Sequence, residues 1–194
     1  MKRLLIILMM ASTFIAMGQE SDFKPVEEAE KNAFLKQMQQ QSGILNCSFV
    51  EEKWITVLDE TMVSKGNIKY EPGKQLICEY TEPESLVLCK KANGNLSVTR
   101  KGKSVVPSPM YKQMMSMMEG FVSGGAMAQK KDYELTMLAN DVQYLMRLTP
   151  KTHSRFSNIE LYVDKKAKSV TKTVLIESKG DRTTITMTPQ QSTK

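Results

Sequence analysis

Gly66-Asn-Ile-Lys-Tyr-Glu-Pro-Gly-Lys-Gln-Leu-Ile-Cys-Glu-Tyr-Thr-Glu-Pro-Glu-Ser-Leu-Val-Leu-Cys89 is the stretch that decides the fold. It holds three runs of strand-forming residues, Ile68–Tyr70, Leu76–Tyr80 and Leu86–Cys89. Glu71-Pro72-Gly73 punctuates the first gap and Glu82-Pro83-Glu84-Ser85 fills the second. Links this short join antiparallel strands, because a parallel neighbour needs a crossover of about a dozen residues or more. Gly supplies unusual backbone angles and Pro removes an amide donor from the ladder, so both mark the ends of runs. The spacing predicts a meander. It continues through the Ala92-Asn93-Gly94-Asn95 turn into Leu96–Arg100, then turns at Lys101-Gly102-Lys103 before Val105-Val106.

Working outward, Ile44–Leu58 reads as one long strand. Cys47, Phe49, Ile55 and Val57 share one parity, and Val50, Trp54 and Leu58 the other. Glu51 and Lys53 interrupt the first face, which predicts a bulge or twist there. Before it, Val26, Ala29, Ala33, Phe34 and Met38 fall at helical spacing with Gln37 and Gln41 along the same side. Pro25 suits a first helical turn and Ser42-Gly43 a stop. Beyond the meander, Ser108-Pro109 is a helix start, with Ser as cap and Pro in the first turn. Met110, Tyr111, Met114, Met115, Met118, Phe121 and Val122 then form one stripe, ending near Gly124-Gly125. Methionine is unbranched and polarizable, so the stripe suits either a surface that accepts variable apolar shapes or an ordinary core.

Strands resume at Tyr133. Val142, Tyr144, Met146 and Leu148 alternate up to Pro150; Ile159, Leu161 and Val163 alternate with Glu160, Tyr162 and Asp164. Val170, Val174 and Ile176 follow, and Lys179-Gly180-Asp181 turns the chain into Ile185 and Met187. The end, Pro189–Lys194, reads as loose. The pattern predicts an α+β fold: a large antiparallel sheet with one apolar face, packed against two amphipathic helices, the second of them rich in methionine.

The first residues are a targeting segment. Lys2-Arg3 is a basic start, Leu4–Met10 is apolar, and Ala16-Met17-Gly18 places small residues where a signal peptidase reads them. The apolar run falls short of a bilayer span. Residues 1–18 are therefore read as a signal peptide and 19–194 as a single domain, soluble and outside the cytoplasm. The formal charge of +6 falls by two on cleavage, and the remaining lysines are dispersed rather than gathered with aromatics. That argues against nucleic acid as a partner.

Catalysis has little support. His153 is the only histidine, and no nucleophile elbow, phosphate loop or metal motif occurs. Cys47, Cys78 and Cys89 include no Cys-x-x-Cys pair. Cys78 and Cys89 lie on consecutive strands and would bridge if the register set them opposite; alternatively each is a small buried apolar residue. No cofactor and no metal are implied. A large apolar-faced sheet under two amphipathic helices can instead enclose a cavity for a hydrocarbon chain.

The order of features resembles the LolA-type lipoprotein carriers of Gram-negative periplasms. The resemblance runs from the first helix through Phe49, Gly66, Pro72, Cys78-Glu-Tyr-Thr-Glu-Pro83 and Tyr144-Leu-Met-Arg-Leu-Thr-Pro-Lys151 to Ile159-Glu-Leu-Tyr-Val-Asp164 and the terminal hairpin. It implies a curved antiparallel sheet forming an incomplete β-barrel, covered by an N-terminal helix and a Met-rich lid helix, that takes triacylated lipoproteins from an inner-membrane ABC transporter and passes them to an outer-membrane receptor. It also implies a periplasmic monomer without enzymatic activity. Three departures stand out. Cys78 replaces the usual aromatic, the Pro72–Tyr80 spacing is one residue longer, and Glu71 occupies a position where many members carry a lid-holding arginine. A carboxylate cannot make a guanidinium's hydrogen bonds, so the lid mechanism and the cargo are in question. The expected lipid-binding lining is Phe49, Ile68, Tyr70, Leu76, Tyr80, Leu86, Leu88, Met114, Met118, Phe121 and Met146. Two other readings stay open: a LolA-like binder of another lipid or an exported polyene, and a non-carrier periplasmic interaction protein.

Overall fold

The computed structural model describes residues 22–40, 43–123 and 132–190. The expected signal peptide (residues 1–18), Gln41, Ser42, Gly124-Gly125 and the last four residues lie outside them. Twelve strands form one antiparallel sheet. In chain order they are β1 (Lys24–Pro25), β2 (Leu45–Ile55), β3 (Glu60–Glu71), β4 (Gln75–Glu82), β5 (Leu86–Lys91), β6 (Leu96–Arg100) and β7 (Lys103–Val105). After these come β8 (Tyr133–Ala139), β9 (Gln143–Pro150), β10 (Phe156–Asp164), β11 (Val170–Glu177) and β12 (Arg182–Pro189). Helix α1 (Glu28–Gln40) follows β1, and α2 (Pro109–Val122) follows β7. The spatial order is β1-β8-β9-β10-β11-β12-β2-β3-β4-β5-β6-β7, so β2 joins the meander to the C-terminal strands and the two edges do not meet.

The sheet has to curl. Tyr133 of β8 and Tyr80 of β4 line neighbouring voids that share Met117, a single residue of α2. Those strands stand seven places apart, about 34 Å across a flat sheet. A helix is only about 10–12 Å wide. The wall must therefore wrap around α2. One source of bending is visible between β3 and β4, where Lys65 pairs with Glu82 and the next residue, Gly66, with Tyr80, leaving Thr81 of β4 as an extra residue. Gly66 is buried, and a Cβ there would run into the Glu79 carbonyl and stand 2.8 Å from the Phe49 ring. Phe49 in turn packs edge-on against Tyr80, with centroids 5.0 Å apart.

Two apolar clusters fill the concave side. One joins Phe34, Leu35 and Met38 of α1 to Met137, Met146, Leu148, Ile159, Leu161, Val163, Leu175 and Phe121. The other joins Met115 and Met118 of α2 to Phe49, Ile68, Leu76, Cys78, Tyr80, Leu88 and Val98. Several expectations change here. The bulge lies between β3 and β4, with Thr81 of β4 as the extra residue; β2 keeps an unbroken register with both neighbours through Glu51 and Lys53. Pro25 pairs with Leu138 in β1 rather than opening the helix, and Leu35, not Ala29 or Ala33, is buried with Phe34. Cys78 faces Leu88, and Cys89 faces Ile77, so Cys78 and Cys89 point to opposite sides and stay free. Strands β10 and β11 are buried on both faces; a shift at Tyr162/Val163 sets Val170 on the concave side, whereas Val174 sits in a separate cluster with Leu145 and Tyr162.

Gly66→Ala tests the account of the bend. Without room for the methyl group the substitution costs about 1–3 kcal/mol of stability, roughly 2–4 °C of melting temperature per kcal/mol. A thermal melt showing no loss contradicts it.

Candidate functional site

Local chemistry builds the lid. The Ser108 side chain accepts a hydrogen bond from the Tyr111 amide (3.3 Å), and Pro109 occupies the first turn, where its missing N–H costs nothing. Methionine is a good helix former, so the run Met114–Met118 continues the helix, apart from Ser116. Met115, Met118 and Phe121 are buried, Met114 and Met117 half-buried, and Met110 exposed.

Beneath α2 lies a hollow of about 220 Å³. Its apolar lining is Met114, Met117, Met118 and Phe121 from the helix with Phe156, Leu175 and Ile185 from the wall. Glu51, Lys53, Tyr80, Arg155 and Glu177 give it a polar side. A second void of about 240 Å³ adds Gly120, Tyr133, Leu148 and Ile159. A third, of about 290 Å³, lies among Met38, Ile44, Leu45, Val122, Val170 and Met187. Phe121 lines all three. Each is smaller than the roughly 300–1,000 Å³ of an ordinary ligand site, whereas the three together reach that range. A wider depression of about 600 Å³ runs over exposed loop residues around His153.

Of the expected lining residues, Tyr80, Met114, Met118 and Phe121 border the first hollow. Phe49, Ile68, Leu76 and Leu88 are packed solid behind them, with Tyr70 and Leu86 half-buried against the same cluster. Met146 lies in the α1 cluster together with Phe121. Sequence reasoning missed Met117, Phe156, Leu175 and Ile185, and it missed the polar members. For two of these a signal existed: Glu51 and Lys53 were the residues that broke the alternation of β2, and in an unbroken strand they point into the hollow.

Glu51 is the unusual group. Tyr80 Oη donates to its Oε2 (3.1 Å) and lies 3.9 Å from Met114 Sδ on the lid. Burial pushes the Glu51 carboxyl above the ordinary carboxylate range, and the Tyr80 hydrogen bond and nearby Lys53 only partly offset this. Across the hollow, Arg155 grips Glu177 with two hydrogen bonds (2.9 and 2.7 Å), and Lys53 Nζ stands 3.8 Å from the same carboxylate. Cys47 and Cys78 are poor nucleophiles: burial pushes the Cys47 thiol up to about 11 and Cys78 to about 12. Among the described residues no cluster of His, Cys, Asp or Glu has the makings of a metal site.

A polar latch holds the lid. Lys90 Nζ, on β5, donates to Glu119 Oε2 (2.5 Å) and Ser116 Oγ (3.3 Å) of α2. Glu71 takes no part in it. Its carboxylate accepts from Lys69 (3.0 Å) and Lys74 (3.3 Å), which hold it below the usual range. The wall still offers a cation to the lid, but from a different strand and to a helix carboxylate.

The family model described as "Outer membrane lipoprotein carrier protein LolA" matches residues 40–194. No curated protein matches the chain. Among solved structures it is similar to MucB, with 13% identity, 86% of this chain and 61% of that one covered, and a TM-score of 0.55. The MucA/MucB complex of Pseudomonas aeruginosa gives 13% identity, 86% and 58% coverage and a TM-score of 0.51. A LolA superfamily protein from Nitrosomonas europaea gives 11% identity, 81% and 90% coverage and 0.44. The chain thus spans about 60% of the length of the MucB chains it matches.

Glu51→Gln tests the buried carboxyl. The folded state binds the Glu51 proton more tightly than the unfolded state does, so the charged form loses stability as pH rises above the usual value of about 4.3. Glu51→Gln is therefore more stable than wild type at neutral pH, and the two converge under acid conditions. Melting temperatures followed across that range check the sign.

Proposed function

Because the chain belongs to the LolA family of outer-membrane lipoprotein carrier proteins, we propose that it holds acyl chains in the hollow beneath α2 and ferries them across the periplasm. The family is one of lipid- and lipoprotein-binding carriers rather than enzymes. The observation that carries the reading is the meeting of three voids at Phe121, the first of them lined mainly by apolar side chains and roofed largely by methionines of α2. Each methylene moved from water into such a space contributes about 0.8 kcal/mol, so an acyl chain needs no covalent attachment. Methionine side chains repack around whatever shape enters. Among the described residues no helix is long and apolar enough to cross a membrane.

In this reading residues 1–18 direct export and are removed, and the remaining domain works as a monomer. The cargo is the acylated end of a lipoprotein, received from an inner-membrane ABC transporter and surrendered to an outer-membrane receptor. The separate voids are too small for three acyl chains, so loading displaces α2 and Phe121 and merges them. Transfer then follows from the difference in affinity between the open and the latched lid. The narrowness of the first void favours one alternative, a carrier of a single-chain lipid or an exported polyene. The MucA/MucB complex supplies the ground for another, in which the chain binds a protein partner and carries no lipid.

Two measurements test this. Protein isolated from its host envelope, extracted with organic solvent, yields stoichiometric acylated cargo; lipid-free protein that also ignores a fluorescent acyl probe overturns the carrier reading. Lys90→Met keeps the apolar stem and deletes the latch. Since a partly exposed ion pair is worth about 0.2–1 kcal/mol, probe exchange speeds up by up to about fivefold in a stopped-flow experiment. Unchanged exchange removes Lys90 from the lid mechanism.

A further inference from the structure

Strand β3 runs past its neighbour at the β2–β3 hairpin. Pairing of β3 to β4 stops at Lys65 opposite Glu82, whereas β12 follows β2 as far as Trp54, one residue from its end. On the β4 side, residues 60–64 therefore overhang by about 16 Å. In this overhang and around the turn beyond it, several apolar side chains stand in water. Val57 is 90% exposed, Leu58 59%, Met62 54%, Val63 46% and Trp54 38%.

These side chains do not form one flat patch. Val57 and Leu58 occupy the apex, Trp54 and Val63 look outward, and Met62, paired with Lys53, lies on the concave side. The apex is also held in place. The Thr56 amide donates to Asp181 Oδ1 (3.0 Å), the Leu58 amide donates to the Ile55 carbonyl (3.1 Å), and Gly180 at φ +96° packs closely against Thr56. Exposed apolar groups gathered this way mark an interaction site rather than random surface.

We propose that this tip dips into the interfacial layer of a phospholipid bilayer and sets the mouth of the hollow at the membrane. A protein groove covers one face of a ribbon, whereas a bilayer surrounds it, and this ribbon is apolar on both faces and at its apex. Tryptophan close behind an apolar apex is the arrangement favoured at headgroup depth. Glu52, Asp59 and Glu60, with Lys53 and Lys65, bound the insertion to that layer. The chain's net positive charge draws it to an anionic surface. Lys53 belongs both to the ribbon and to the lining of the hollow, so the tip and the cargo route lie side by side. The inference extends the carrier reading, although the docking itself needs no cargo.

Trp54 is the only tryptophan, so the protein carries its own reporter. Full mature chain is mixed with phosphatidylethanolamine vesicles with and without phosphatidylglycerol, and Trp54 emission and quenching by brominated acyl chains are read. The expected result is a blue shift with quenching, stronger on the anionic vesicles and weakened by salt. Val57→Glu/Leu58→Glu lowers partitioning at least tenfold while circular dichroism and acyl-probe binding stay as in wild type. A wild-type chain that ignores both vesicles overturns the proposal and leaves a protein socket as the partner of the tip. So does a double variant that partitions normally. Vesicle docking without acyl-probe binding would sink the carrier reading alone.

Discussion

A curled antiparallel sheet with a continuous apolar inner face has to be covered, and that need organises this molecule. Water cannot be left against Ile68, Leu76, Leu88 and Val98, so some element must lie over β2–β6. Here that element is α2, fourteen residues long, five of them methionine. On the other half of the wall α1 brings Phe34, Leu35 and Met38 against β8–β11. The two covers differ in kind. Phe34 and Leu35 of α1 pack into a cluster away from the voids and Met38 borders one of them, whereas α2 leaves voids on either side of Phe121.

That difference is what gives the fold a use. A well-packed interior resists the removal of even one methylene, so a binding space has to be planned into the cover rather than forced into the core. Phe49, Ile68, Leu76 and Leu88 supply the rigid backing, and the Gly66 bend lets the backing curve. Met114, Met117, Met118 and Phe121 supply the yielding side. Glu51 and Tyr80 stand where these meet, joined to each other and close to Met114, so the wall carries a polar group at the edge of an otherwise greasy space. With Glu71 engaged by its lysine neighbours, Lys90 and Glu119 provide the ion pair between wall and lid.

Much of this was legible in the residues. Pro72, Gly73, Pro83, Gly94 and Gly102 mark the meander because each imposes a backbone requirement that survives any packing. Ser108-Pro109 likewise marks the lid. What escaped was set by tertiary context. Glu60–Ser64 carries no alternation because nothing covers either face there, so the first half of β3 did not read as strand. Val174 and Leu175 are buried on opposite faces, which erases the period-two signal. Glu51 and Lys53 interrupt the alternation of β2, but they are in register, and they line the hollow rather than mark a bulge. Eight of the eleven expected lining residues rest on strand parity and three on helical spacing, yet either pattern assigns a face and does not separate side chains that border a void from those packed behind it.

The central claim is that a hydrocarbon chain enters by lifting α2 off a wall that stays put. Hydrogen exchange of the amides, measured with and without saturating acyl ligand, addresses it most directly. The account predicts that protection changes across residues 109–122 and stays constant along β3, β4 and β5. Saturating ligand with unaltered exchange in α2, or with the change spread through the meander instead, would contradict it.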